Sequence, residues 1–449
     1  MSRPVATVLV GLGHRTHGYA SFAKNHPDRM RIVALADPNS TRLTHAAKKY
    51  GISDERCFSD AAELAEKFPA REGFAEVAIN GTMDAQHLDT SRVLLEGGYD
   101  ILLEKPIATT LDDVLELNRL AEENKRLVVI CHVLRHAPFY RAIAKQVHSG
   151  AIGRVMSMQS SEHVSDHHMV TAFVRGKWRQ RSTNPMLLAK CCHDLDLLCW
   201  LKGDVRPSRV ASMGGQLLFT PEHAPPGSGT RCLTDCEIES NCHYSARRLY
   251  IEHGLWQFYA WHGLNDYEQG RLPDESTLLT SLETDNPYGR CVWQCDNDVV
   301  DQQNVIIEFD DGTIASHQMY TNSARGRRSI HLIGEKGEIE GVLEEGKFTI
   351  RKPKPSCGRG FNLESIDTNT WQTEIIGVGV EEEMHGGGDL RLVDDFLRMR
   401  SGEDASISTT ELRDSIAGHA IAFAADEAML RGVVMSIDGQ WGCRFLQTD

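Results

Sequence analysis

Short apolar runs alternate with amphipathic stretches over the first 130 residues. The runs are Val5–Val10, Met30–Ala36, Val77–Asn80, Asp100–Leu103 and 127–132. Each is nearly continuous in apolar residues, as expected of strands covered by helices on both faces. Between them the spacing turns helical, as in Leu111–Asn124, with Thr109 or Thr110 placed to cap that helix. Strand–helix alternation of this kind predicts an α/β fold with a doubly wound parallel sheet over residues 1–134.

Past residue 135 the rhythm changes. Strand-like runs at 155–160, 305–309 and 330–333 follow one another with fewer helices between. Asp310-Asp311-Gly312 and Gly334-Glu335-Lys336-Gly337 are hairpin-turn signals. This predicts a second, α+β domain over 135–449 around a mostly antiparallel open sheet. A less regular stretch at about 220–290 reads as an insertion, and 389–431 returns to helical periodicity. There is no internal repeat.

Composition narrows the function classes. The chain has 449 residues and a formal net charge of −15. An acidic chain repels phosphate backbones and anionic membranes, so nucleic acid and membrane are not expected partners. No window of eighteen apolar residues occurs, and the run Val5–Val10 is too short for a secretory signal core. A cytoplasmic location is expected, where the 12 cysteines would be thiols or metal ligands rather than disulfides.

The first apolar run ends in Gly11-Leu12-Gly13, followed by His14 and Arg15. Glycines at a strand end allow a tight turn and close approach of backbone N–H groups to a pyrophosphate, with the next helix aiming its positive end there. The third glycine of the usual Rossmann fingerprint is replaced by Thr16. Taken alone, the broken fingerprint also fits an ordinary strand–turn–helix connection. Asp37, at the end of the second run, is placed to accept the adenosine ribose hydroxyls and to repel a 2′-phosphate. NAD is therefore expected in preference to NADP, although Arg42 nearby leaves some NADP use open.

At this point the chain resembles the Gfo/Idh/MocA oxidoreductases over nearly its whole length. The decisive element is Glu104-Lys105-Pro106 at a strand end. Thr82, Asp84 and His87 fit the family's loop after the fourth strand, with Met83 in place of the usual proline. Arg135 and Pro138 fit its Arg-x-x-Pro crossover, and Lys190-Cys191-Cys192-His193-Asp194 fits its second active-site segment. The resemblance implies that Glu104 and Lys105 lie beside the nicotinamide, with Lys105 on the reacting oxygen. It places the active-site histidine at His193. The aspartate that most members carry four residues earlier is Ala189 here, which leaves the general base open. Phe173-Val174-Arg175, Trp178 and His385-Gly386-Gly387-Gly388-Asp389 look like one sugar-active branch. Pairing through the outer face of the second sheet, as a homodimer or homotetramer, is implied as well.

Oxidising an alcohol with NAD requires a hydride to leave carbon and a proton to leave oxygen. His193 is the natural base, because histidine titrates near working pH. Lys105 would stabilise charge on the oxygen. Lys190 would either depress the pKa of His193 or contact substrate hydroxyls. Arg135, His168, Arg175, Trp178 and His385 are candidates to line a sugar site, Trp178 by stacking on a pyranose face; core packing is the bland alternative for them.

Cysteine spacing suggests a structural zinc held by Cys232, Cys236, Cys242 and Cys295, against the alternative of reduced, buried cysteines. The expected function is hydride transfer between NAD and a hydroxyl-bearing carbon of a sugar, inositol or sugar derivative. Two alternatives stay open: a redox-neutral NAD-dependent glycoside hydrolase, which oxidises a ring carbon transiently, and a non-catalytic sensor that keeps the fold.

Overall fold

The computed structural model describes residues 3–261, 273–354, 371–380 and 384–445. In the N-terminal half, strands β1 (Val5–Val10), β2 (Met30–Ala36), β3 (Cys57–Phe58), β4 (Val77–Asn80), β5 (Asp100–Leu103) and β6 (Val128–Ile130) form one sheet in the order β3-β2-β1-β4-β5-β6. All its pairings are parallel. β4 and β5 are buried at every position, because helices cover both faces. Thr110 caps Leu111–Asn124 by accepting the Asp113 N–H.

The second sheet contains β7 (Val155–Ser165), β8 (Pro207–Gly215), β9 (Gln302–Phe309), β10 (Ile314–Ser323), β11 (Arg327–Gly334), β12 (Gly337–Val342), β13 (Lys347–Pro353), β14 (Trp371–Gly377), β15 (Met435–Ile437) and β16 (Cys443–Phe445). Its order is β14-β13-β12-β11-β7-β10-β9-β8-β15-β16. Among the described residues of this sheet, only β7 and β10 pair in parallel; the other pairings are antiparallel. Strand β9 alternates buried and accessible positions, so one face carries the core. Helix Met186–Lys202 packs on that face, while Met213, Ile306 and Ile375 are exposed.

The last helices tie the halves together. Gly388–Arg400 inserts Leu392, Val393, Phe396 and Leu397 beside Leu9, Tyr19 and Phe22 of the first half. Each such buried side chain contributes about 1.5–3 kcal/mol. Leu412–Arg431 adds Leu412 and Ile416 to the core around Val128 and Ile130, then packs along Met186–Lys202. Among the described residues, no helix is long and apolar enough to cross a membrane.

Candidate active site

A cleft of about 490 Å³ opens at the carboxyl ends of the parallel strands, where doubly wound sheets bind ligands. Its first wall begins at the glycine turn. Gly11 has φ of 74°, and a Cβ there would meet Gly81 and Thr82 backbone atoms at 2.8 Å. Thr16 is buried and donates its hydroxyl to the Gly11 carbonyl at 2.5 Å. It fits because residue 81, opposite, is a glycine: a Cβ there would collide with the Thr16 hydroxyl. The missing fingerprint glycine is thus offset by one just past the end of β4.

Gly13 caps helix His14–Asn25 without a side-chain hydrogen bond, and nothing lies within 4 Å of where its Cβ would be. The cleft therefore opens directly at the start of this helix, whose first N–H groups have no intrahelical partner, a cradle suited to a pyrophosphate. Asp37 lines the same end of the cleft and accepts the Leu12 N–H at 2.6 Å and the Asn39 N–H at 2.8 Å. Arg42 lies beside it.

Glu104 is buried and accepts from Arg15 Nε (2.7 Å), the Tyr19 hydroxyl (2.8 Å) and the Lys105 N–H (2.6 Å). Burial alone would raise its pKa, but Arg15 and Lys105 together hold it below the usual carboxylate range. Arg15 also pairs with Asp389 at 2.8 Å, and Asp389 accepts from His385 Nδ1 at 3.2 Å. Lys105 Nζ donates to the Ala189 carbonyl at 2.9 Å. Asp84 bridges the two halves, accepting from Trp178 Nε1 (2.7 Å) and Asn184 Nδ2 (2.8 Å).

The second wall carries His193 on helix Met186–Lys202, one turn after Ala189 and hence on the same face. Its pKa is pushed well below 6.5 by burial first, then by Lys105, His132, His385 and Arg328. The imidazole is therefore neutral at physiological pH. Lys190 Nζ pairs with Glu162 Oε1 at 2.9 Å. Arg328, which the sequence reading missed, reaches the cleft from β11 and pairs with Glu162 (2.7 Å) and Asp194 (3.1 Å). Burial and Glu162 push Asp194 up to about 6 against the pull of Arg328.

The segment between β8 and β9 supplies an aromatic edge that was also missed. Trp256 stacks on His168 at 4.2 Å, and Phe258 stacks on His14 at 4.3 Å. Trp178 meets Lys177 over its ring at 4.3 Å.

Of the expected site residues, Gly11, Gly13, His14, Arg15, Asp37, Arg42, Thr82, Asp84, Glu104, Lys105, His168, Trp178, Lys190, His193 and His385 line this one cleft. Three do not. Arg135 is 3% exposed and spends its guanidinium on Asp196 (2.7 and 2.5 Å) and the Thr409 carbonyl (2.9 Å). Arg175 is 1% exposed and donates to the Arg290 and Tyr244 carbonyls at 2.7 and 2.8 Å. His87 is buried between the Pro106 and Thr82 carbonyls, at 2.7 and 3.3 Å. All three hold loops in place from behind the cleft wall.

The zinc expectation meets a different arrangement. Cys232, Cys236 and Cys242 line a small cavity together with Cys291, while Cys295 Sγ donates to the Cys291 carbonyl at 3.2 Å. Among the described residues, the groups whose ligand atoms come within 4.8 Å of one another are His132–Cys192–His193 and Cys191–Asp194–His317. The four expected sulfurs do not form such a group. Burial pushes the Cys242 and Cys295 thiols up, which favours the reduced, protonated form over thiolate.

The YteT protein of Bacillus subtilis (strain 168), named as an oxidoreductase, is 24% identical over 441 residues, 95% of each chain. D-apiose dehydrogenase of Paraburkholderia graminis is 28% identical over 52% of this chain and 61% of its own. The solved WlbA dehydrogenase of Chromobacterium violaceum, in complex with NADH and UDP-GlcNAcA, superposes with a TM-score of 0.63 at 16% identity, covering 98% of this chain and 97% of its own, a likeness of fold. Residues 5–132 match the NAD-binding Rossmann fold of the Gfo/Idh/MocA oxidoreductase family, and residues 144–435 match that family's C-terminal alpha/beta domain. The chain belongs to the Gfo/Idh/MocA oxidoreductase family.

Proposed function

We propose that the cleft binds NAD and serves hydride transfer between it and a hydroxyl-bearing carbon of a sugar, inositol or sugar derivative. The observation that carries this reading is the Lys105 ammonium bonded to the Ala189 carbonyl, one helical turn before the neutral His193, in one cleft with the helix terminus at Gly13. The glycine turn, that terminus and Asp37 are the residues that would hold the dinucleotide, and Asp37 favours NAD over NADP. When bound, the nicotinamide supplies the hydride acceptor or donor.

The chain's own residues manage the proton and the charge. His193, kept neutral by burial and its cationic neighbours, accepts the hydroxyl proton during oxidation. Lys105 has three N–H donors and uses one on Ala189, so two remain to stabilise the oxygen as its negative charge grows. Arg328, Lys190 and His168 supply polar contacts for further hydroxyls, with Trp256 and Trp178 as apolar faces. The exposed face of the second sheet is where copies of the chain would pair.

The test is a panel of free sugars, inositols and aryl glycosides incubated with the protein and NAD, following NADH absorbance and aglycone release together. NADH formed in proportion to substrate consumed is the expected result. Aglycone release with no NADH would assign the redox-neutral hydrolytic route instead, and no affinity for either pyridine nucleotide would overturn the reading.

A further inference from the structure

His193 has a partner that no local pattern announces. His132, just past β6, is fully buried, and its Nδ1 lies 3.4 Å from His193 Nδ1. The rings meet edge-on, with centroids 5.4 Å apart and planes at 81°. Burial first, then Arg135 and Lys105, keep His132 neutral as well. Two neutral imidazoles that face each other through Nδ1 share a single proton there: one ring donates and the other accepts.

The far side of His132 decides which. Among the described residues, its Nε2 has no hydrogen-bond partner and lies 4.0 Å from Asp196 Oδ1. That carboxylate is clamped by Arg135. An N–H directed at a buried carboxylate is attracted, and a lone pair is repelled. The nearby His419 does not compete, because its Nε2 accepts the Ile107 N–H and its Nδ1 donates to the Ser415 carbonyl. His132 therefore carries its proton on Nε2, its Nδ1 is an acceptor, and the shared proton belongs to His193.

We propose that His132 is the positioning residue that fixes His193 as the Nδ1–H tautomer and leaves His193 Nε2 unprotonated for the reaction. In the oxidation direction the hydroxyl O–H bond breaks and its proton passes to His193 Nε2. The O–H electron pair becomes the second bond of the carbonyl as the hydride leaves carbon for NAD. The imidazolium keeps its Nδ1–H donated to His132. The catalytic use of Nε2 rests on the hydride-transfer reading; the tautomer does not.

NMR of the full-length protein with 15N-labelled histidine tests this directly, with the His193 signals assigned by their loss in His193→Gln. The wild type should show a protonated Nδ1 and an unprotonated Nε2 on His193 at pH 7.5. His132→Ala removes the acceptor and should move the proton to Nε2. His132→Asn, whose Oδ1 replaces the acceptor nitrogen, should retain the Nδ1–H form. In turnover, His132→Ala should lose at least about tenfold in kcat with KM little changed, and His132→Asn should recover most of it. A wild-type His193 protonated on Nε2, or a His132→Ala variant with the tautomer unchanged, would overturn the assignment. The wild-type spectrum decides even if the alanine variant fails to fold. A correct tautomer without turnover on any alcohol would sink the hydride reading and leave this one standing.

Discussion

On the cleft wall contributed by the N-terminal half, the groups come from strand ends in four short stretches, 11–15, 37–42, 81–86 and 104–105. On the opposite wall they come from the segment after β7, from the helix Met186–Lys202, from β11, from the segment between β8 and β9, and from the loop before Gly388–Arg400. The first wall is built mainly from turns at the strand ends of one sheet, braced by Arg15 on Glu104. The second is an assembly whose members meet only after the sheet has paired. Arg328 faces Glu162 because β11 and β7 align those two residues across the ladder. A change in the first wall should therefore alter one contact, whereas a change in the second should spread.

The largest expected effect breaks a buried ion pair behind the second wall. Arg135→Ala leaves Asp196 charged, buried and unpaired, which costs about 3–5 kcal/mol of stability. Thermal or denaturant unfolding should show this loss. An Arg135→Ala variant of unchanged stability but raised KM would return this residue to the substrate.

Next come the reacting groups themselves. Lys105→Ala or His193→Ala should cut turnover at least about a hundredfold with NAD affinity nearly unchanged. Steady-state kinetics beside a nucleotide titration reads both quantities, and wild-type turnover in either variant would remove that residue from the mechanism.

Acid should act through buried histidines that lie outside the cleft lining. His136, His317 and His419 are buried, with pKa values pushed down by burial to about 3, 4 and 3. Each is free to protonate near 6.5 once unfolded. The unfolded chain thus binds more protons as pH falls, so the stability present above pH 6.5 is lost progressively below it. Each histidine contributes up to about 1.4 kcal/mol per pH unit in that window. Urea unfolding between pH 7.5 and 5 should show the decline. His193 is depressed in the same direction, so kcat/KM for oxidation should show no acid limb at or above pH 6.5.

The smallest effect lies on the first wall. Asp37→Ala should weaken NAD binding and narrow the NAD-over-NADP preference by about tenfold, worth about 1.4 kcal/mol. An unchanged preference would show that the ribose contact lies elsewhere.

The same contrast explains what could be read from the chain. The parallel sheet and the glycine turn were legible because apolar runs and turn residues sit side by side in sequence. Lys105 and His193 were legible because each lies in a short run of distinctive neighbours. Gly81, His132 and Arg328 were not, since each matters only through a residue brought to it by folding. The ion pair of Arg135 was not legible for the same reason: its acceptor, Asp196, lies 61 positions away. The cysteine spacing suggested a ligand set, but spacing alone does not say which thiols converge, and Cys291 stands where Cys295 was expected.

A crystal structure of the NAD complex tests the central claim most directly. The account predicts the pyrophosphate at the Gly13 helix terminus, and the nicotinamide ring beside Lys105 with its open face toward His193. A nicotinamide ring bound in any cavity that lacks Lys105 and His193 would contradict it.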